Sequence, residues 1–454
     1  MILQNTLDSI RKGTCSVEVF GLGYIGFPLA VRLANSEMNV LGIDVSAERI
    51  ERLSNNNLMD SEIHLKEDFE KSRKDGNLEL STTSQNSEFP KIGIICVPTP
   101  IPSNTIKSDV FVRSAVQKFL KKSKKGDIII LESSIEVGTT ENMIKIIEEN
   151  NFTVGESIGL CFCPERIDPA NKEWGIENIP RVIYCSDDTS FEIAKKIYQN
   201  VNGANLIRVS SPKVAEVVKS FENAFRLVNI SLVNELAILC DKLRINVNEV
   251  INAASTKPFG FMAHYPGAGA GGHCIPKDPR FLLESAKKLG ISFETIENAL
   301  KINSLMPSYI CDSIEKSIEK MKLGKNVLVC GLSYKVNVED MRDSASFKII
   351  NEFKKRNFTV KGYDPFFKSE LIEKYAIENN LKKVEFSVLN TLDDENLKNL
   401  DCMCLVQHHD QDKNRYQEIY NNSLVPFIYD CQNKISRNLK SKTTLNFLGG
   451  QNSI

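Results

Sequence analysis

The sequence predicts an α/β protein with two Rossmann-like, doubly wound parallel-sheet domains joined by a central helical domain with one long helix. Three observations predict it. A strand, glycine turn, helix and second strand open the chain as "VEVFGLGYIGFPLAVRLANSEMNVLGID". A second α/β series runs from "KNVLVCGLSYK" to "PFIYDCQN" near the C-terminus. Between them, residues 213–243 contain no proline and no glycine. A chain of 454 residues is too long for one compact core. The expected domains are 1–207, 208–315 and 316–454.

In the opening unit, Gly21, Gly23 and Gly26 fit the spacing G-x-G-x-x-G, with Tyr24 and Ile25 inside the turn. The first glycine permits a tight turn, the second lets backbone approach a pyrophosphate, and the third lets helix pack on strand. The helix N-terminus then offers unpaired N–H groups to the phosphates. Asp44 ends the second strand eighteen residues after Gly26. Its carboxylate suits both ribose hydroxyls and would repel a 2′-phosphate, so the expected cofactor is NAD rather than NADP. Arg49 follows on the same edge. The strands in "KIGIICVPTP" and "DIIILESS" end in loops that bring Pro98, Thr99 and Ser134 to the carboxyl edge, where ligands of such sheets lie. Residues 54–90 are polar and charged, and "KKSKKG" reads as a solvated helix end.

Residues 213–243 read as a helix about 45 Å long at ~1.5 Å per residue. Its apolar residues fall on nearly every side, which predicts burial by several neighbours, a second subunit among them. Lys219 and Asn223 are four apart and share a face. The C-terminal α/β unit lacks the full glycine fingerprint, so it is expected to hold a different phosphorylated ligand and no second dinucleotide. Twelve cysteines without a secretion signal imply reduced thiols and a cytoplasmic protein. Cys161/Cys163 and Cys402/Cys404 sit in strand-like runs with no histidine cluster nearby, so they read as small core residues, and no metal is expected. The net charge of −1 gives no reason to expect nucleic acid or an anionic membrane. No stretch approaches the ~20 apolar residues of a membrane span.

"FGLGYIGFPLA", "CVPTP", "ESSIEVGTT", "CPERIDPAN", "KSFENAFR", "GGHCIPKDP" and "GLSYKVNVEDMRDS" occur in that order. Together they resemble the UDP-glucose/GDP-mannose dehydrogenases, which oxidise nucleotide sugars at C6. "GGHC", "KPFGFMAHYPG" and "PERIDPAN" look most like the branch acting on UDP-N-acetylhexosamines. The resemblance puts UDP-N-acetylglucosamine first as substrate, UDP-N-acetylmannosamine second and UDP-glucose third. It implies a four-electron oxidation in which Cys274 captures the aldehyde as a thiohemiacetal and then carries a thioester. A thiolate is the attacking form, and its tetrahedral adduct expels hydride readily.

By matching positions, Lys219 and Asn223 would stabilise the oxyanions. Asp278 would handle the hydrolytic water, Glu165 would assist proton movement near the thioester, and Ser134 would hold a catalytic water. Lys335 would contact the nucleotide sugar, and Arg342 would reach the cofactor from another domain. Arg166, Phe259, Gly260, Phe261, Tyr265 and Gly271 join the expected sugar contacts. His273 tempts as a general base, but the resemblance accounts for it as a residue shaping the sugar pocket. A homodimer through the central helix is expected.

Three positions depart from the family pattern. Gln432 stands in "DCQN" where an arginine is usual, turning a charge-assisted contact into a neutral one. Glu136 and Ala170 replace a common proline and glycine. Two rival readings are a nucleotide-sugar-binding regulator without turnover and a two-electron hydroxyacid-type dehydrogenase. The first would leave the set Cys274, Lys219, Asn223, Glu165 and Asp278 without a use, and the second would need no nucleophilic cysteine.

Overall fold

The computed structural model describes residues 2–100, 108–168, 171, 173–203, 205–378 and 386–450, so Ala170 lies outside the described residues. The chain divides into two compact units, Met1–Glu222 with Arg280–Ile291, and Asn223–Pro279 with Ser292–Ile454.

The first unit holds eight strands: β1 (Ser16–Phe20), β2 (Asn39–Ile43), β3 (Leu78–Ser81), β4 (Lys91–Ile95), β5 (Ile128–Leu131), β6 (Gly159–Phe162), β7 (Arg181–Cys185) and β8 (Leu206–Arg208). Their order is β3-β2-β1-β4-β5-β6-β7-β8, which reverses direction between β1 and β4. Runs such as "KIGII" and "IIIL" form strands because β-branched side chains pack well on a pleated surface, and both are buried along their whole length. Helices cover both faces, several with side-chain caps; Asp187 accepts from the Ser190 N–H at the start of Asp188–Asn202. The helix Ile2–Arg11, absent from the sequence reading, buries Leu3, Thr6 and Leu7. One pairing departs from the parallel expectation: β7 runs antiparallel to β6, with Cys161 opposite Cys185 and Phe162 opposite Tyr184.

The second unit holds a six-stranded, wholly parallel sheet: β9 (Asn326–Cys330), β10 (Thr359–Tyr363), β11 (Phe386–Val388), β12 (Cys402–Leu405), β13 (Phe427–Asp430) and β14 (Thr444–Phe447). Its order, β11-β10-β9-β12-β13-β14, again reverses beside the first strand. Both predicted doubly wound sheets are therefore present. Cys161, Cys163, Cys402 and Cys404 are buried strand or strand-end residues, as read from the sequence.

The long helix spans Pro212–Leu243. Val214, Val217, Phe221, Phe225, Leu232 and Leu239 are exposed along it at intervals of three, four and seven residues, forming an apolar stripe. The expectation that no segment is apolar enough to cross a membrane is corrected, since this helix meets that requirement by length and composition. Nearly half of its most apolar window is buried inside the protein.

Candidate functional site

Apart from Arg342, the predicted cofactor residues lie in the first unit, at the carboxyl edge of β1, β2, β4 and β5. Gly21 sits at φ 89°, and a Cβ there would lie 2.8 Å from the Cys96 carbonyl oxygen, so only glycine fits. A Cβ on Gly26 would run into the Gly21 carbonyl, which lets the helix Gly26–Asn35 start hard against the turn. A Cβ on Gly23 would meet nothing within 4 Å. That open space, at the mouth of a helix N-terminus, fits a pyrophosphate. Asp44 is held by the Leu22 N–H on Oδ2 and the Ser46 N–H on Oδ1, both at 2.9 Å, with lone pairs remaining for a ribose. Arg49 is bound elsewhere: its Nε donates to the Leu22 carbonyl and its guanidinium pairs with Glu62. It braces the turn. Thr99 is buried and Pro98 exposed beyond β4. Beyond β5, Ser133 donates to the Val97 carbonyl at 2.7 Å, tying the Ser134 loop to that of Pro98.

The same unit holds Glu165, Arg166 and Lys219. Both oxygens of Glu165 are engaged. Oε1 accepts the Arg166 and Ile167 N–H groups at 2.6 and 2.7 Å, and Oε2 pairs with Arg181. Arg166 forks onto Glu222 and donates to the Pro180 carbonyl. One turn before Lys219, buried Glu216 accepts from the Gly138 N–H at 2.6 Å and from the Thr140 N–H and hydroxyl at 2.8 and 2.7 Å. It thereby caps the helix Thr139–Glu149, and burial pushes its carboxyl above the usual range against those bonds. Sequence reasoning missed Glu132, Arg181, Tyr198 and Glu216. The only signal was a charged residue abutting an apolar run, as in "DIIILE" and "RVIY".

The second unit holds Asn223, the Phe259–Tyr265 loop, Gly271, Cys274, Asp278, Lys335 and Arg342. Of twelve cysteines Cys274 alone is exposed; Cys96 is half-buried and the rest are buried. Its carbonyl accepts the Asp278 N–H at 2.9 Å, so one tight turn carries the thiol into the helix Asp278–Lys288. The Asp278 carboxylate is buried and accepts from the Asn223 amide at 2.7 Å, which brings two predicted catalytic groups together. The two glycines ahead of Cys274 are required by close approach. A Cβ on Gly271 would lie 2.5 Å from the Asp343 carbonyl oxygen, and one on Gly272, at φ 80°, 2.7 Å from the Tyr334 ring. The nucleophile loop therefore packs on the loop that carries Lys335. Partial burial, then Arg342 and Lys277, pushes the His273 imidazole down to about 4, so it is neutral at physiological pH although solvent still reaches the residue. Arg342 forks onto Asp340. Phe259, Phe261 and Tyr265 are exposed, and Tyr265 donates to Asn252 at 2.8 Å. Gln432 donates to Gln407 at 2.8 Å, a neutral contact. Among the described residues no group of three or more His, Cys, Asp or Glu side chains could hold a metal ion.

A dinucleotide turn, a second nucleotide-binding type of sheet and an exposed thiol beside a buried aspartate–asparagine pair define an NAD-dependent nucleotide-sugar dehydrogenase. The chain belongs to the UDP-glucose/GDP-mannose dehydrogenase family, matching its NAD-binding domain over residues 15–202, its central domain over 213–305 and its UDP-binding domain over 328–437. It is 34% identical over 439 residues to a UDP-N-acetyl-D-mannosamine dehydrogenase of Methanococcus aeolicus, covering 95% of this chain and 94% of the relative. It is 33% identical over 359 residues to a UDP-N-acetyl-D-glucosamine 6-dehydrogenase of Pseudomonas aeruginosa, covering 78% and 83%. The fold superposes on the native structure of the UDP-N-acetyl-mannosamine dehydrogenase Cap5O from Staphylococcus aureus with a TM-score of 0.80 at 30% identity, covering 96% and 98% of the two chains.

Proposed function

We propose that this chain oxidises the C6 alcohol of a UDP-N-acetylhexosamine to the carboxylate, forming two NADH per sugar. Exposure of Cys274 alone among the cysteines, one turn from the Asp278–Asn223 pair, is the observation that carries the reading. Bound at the first sheet, NAD would accept hydride. Gly21, Gly23, Gly26, Asp44 and the loops of Thr99 and Ser134 would hold it. The Cys274 thiolate adds to the bound aldehyde, giving a tetrahedral thiohemiacetal whose oxyanion is stabilised by Lys219 and Asn223. Loss of the second hydride leaves a thioester. Asp278 orients the water that attacks it, and Glu165 assists the proton transfers that free the carboxylate and restore the thiol. Lys335, Arg166, Gly271 and the Phe259–Tyr265 loop would bind the nucleotide sugar, and Arg342 would serve the cofactor.

Six relatives named for UDP-N-acetyl-D-mannosamine match over 77–96% of this chain, five of them over 93–96%, against 78% for one named for UDP-N-acetyl-D-glucosamine. That moves UDP-N-acetylmannosamine ahead of the order read from sequence, with UDP-N-acetylglucosamine second. The exposed stripe on Pro212–Leu243 supports a homodimer, and the reaction suits a cytoplasmic enzyme supplying uronic acids for glycans. NADH release with UDP-N-acetylmannosamine, UDP-N-acetylglucosamine and UDP-glucose side by side tests the reading. Two NADH per sugar are expected from one of the hexosamines. Cys274→Ser should abolish multiple turnover, and full carboxylate production by that variant would overturn the mechanism.

A further inference from the structure

Behind Glu165 lies a cluster of buried charge that the reaction scheme does not use. Arg181 and Glu132 have no side-chain exposure, and Arg181 Nη1 donates to Glu132 Oε1 at 3.0 Å while Nη2 pairs with Glu165 Oε2. The Tyr198 hydroxyl donates to the same Glu132 oxygen at 2.5 Å, and its ring lies 4.8 Å from the guanidinium carbon. The Cys96 and Cys163 thiols complete the surroundings, and Arg166 beside Glu165 is occupied by Glu222. Topology explains how these groups meet. Glu132 follows β5, Glu165 lies beyond β6, and both are at the carboxyl edge. A parallel β7 would begin at the opposite edge. Because β7 is antiparallel, the Cys161–Cys185 register extended outward sets Arg181, its first residue, against Glu165.

We propose that Arg181 is a positioning residue for Glu165, anchored from behind by Glu132 and Tyr198 and delivered by the antiparallel run of β7. The inference rests on the role of Glu165 in the reaction above. A planar guanidinium can serve two carboxylates at once in fixed directions, which an ammonium cannot. With Oε1 on two backbone N–H groups and Oε2 on Arg181, the Glu165 carboxylate is held in one orientation. Burial alone would make this cluster costly, since breaking a buried pair leaves an uncompensated charge. Burial first, and then the Glu165 charge, raises the Glu132 carboxyl above its ordinary range, while Arg181, Tyr198 and their hydrogen bonds act against it. Against the burial that opposes its charge, Glu132 and Glu165 hold the Arg181 guanidinium firmly protonated.

Burst and steady-state NADH release, with intact-protein mass of the acylated enzyme, test the proposal. Arg181→Lys is expected to lower kcat about ten-fold or more while KM for the sugar stays within about two-fold, and acylated Cys274 accumulates. In a Glu165→Gln background the same change should add nothing, because its effect runs through Glu165. An unchanged kcat, or an equal loss in both backgrounds, would overturn the proposal. Should Arg181→Lys fail to fold, Glu132→Leu and Glu132→Gln replace it. Leucine should lower kcat only where Glu165 is intact and glutamine should recover most of the loss; equal behaviour of the two overturns the proposal. Failure of the reaction itself looks different: the unaltered chain would release no second NADH from any of the three sugars, and the positioning role would fall with it.

Discussion

In the first unit β1 runs into Gly21-Leu22-Gly23-Tyr24, and in the second β9 runs into Gly331-Leu332-Ser333-Tyr334. The leading glycines adopt φ of 89° and 79°, and each N–H donates to the last residue of the neighbouring strand, Ile43 or Tyr363. An aspartate follows that strand in both and accepts the leucine N–H, Asp44 at 2.9 Å and Asp364 at 2.7 Å. Asp364 accepts the Phe366 N–H as Asp44 accepts that of Ser46. There the likeness stops. Asp364 is buried and also takes the Ser333 N–H and hydroxyl and His409 Nε2. Gly23 leaves open space where Ser333 fills it with a bonded hydroxyl. The first turn feeds directly into a helix at Gly26, whereas the second reaches its helix only at Ala345, after the loop with Lys335 and Arg342. One turn leaves its aspartate half-buried with two backbone bonds, and its counterpart buries the aspartate and uses it to fasten a loop.

That contrast can be broken from either side. The largest effect is expected from Asp364→Asn, which puts an amide N–H₂ where a buried carboxylate accepts several hydrogen bonds and should lower the stability of the second unit by about 3 kcal/mol in urea unfolding. Burial works to raise the Asp364 carboxyl, but the bonds from His409, Phe366 and Ser333 outweigh it and hold the group below its ordinary range. Its contribution is therefore present above the unfolded pKa near ~3.9 and is lost as pH falls through the lower folded value. Acid unfolding below about pH 4 should be less steep in Asp364→Asn than in the unaltered chain.

Gly23→Val should raise KM for NAD about a hundred-fold by filling the pyrophosphate space, with stability nearly unchanged. Unaltered cofactor affinity would mean that the open space is not the phosphate site. Asp44→Asn should be milder, narrowing the preference for NAD over NADP by about ten-fold in kcat/KM. The smallest effect is expected at Gln432→Arg. A charge there should lower KM for the UDP-sugar by no more than about three-fold, since Gln432 is already engaged with Gln407. A large gain would show that the neutral residue restrains substrate binding.

Much of the site was legible because it is written in short, contiguous stretches. The glycine turn, the Lys219–Asn223 spacing and the loop from Gly271 to Asp278 each depend on near neighbours along the chain. The groups that hold these pieces still were not legible. Glu216 reaches back to Gly138 and Thr140, and Arg181 meets Glu132 and Glu165, across separations that no local pattern encodes. Hydropathy reports that a face of Pro212–Leu243 avoids water and is silent on what covers it, so the exposed stripe could not be told in advance from the buried face.

The sequence by itself determined the two α/β series, the cofactor turn and the extent of the long helix to within a residue. Backbone propensity, helical and strand periodicity and glycine stereochemistry are local and survive in one dimension. The tertiary structure decided which carboxylates are tied up and which stay available, and it alone reversed β7. Those outcomes depend on burial and on contacts between distant segments, so they arise only once the chain has packed.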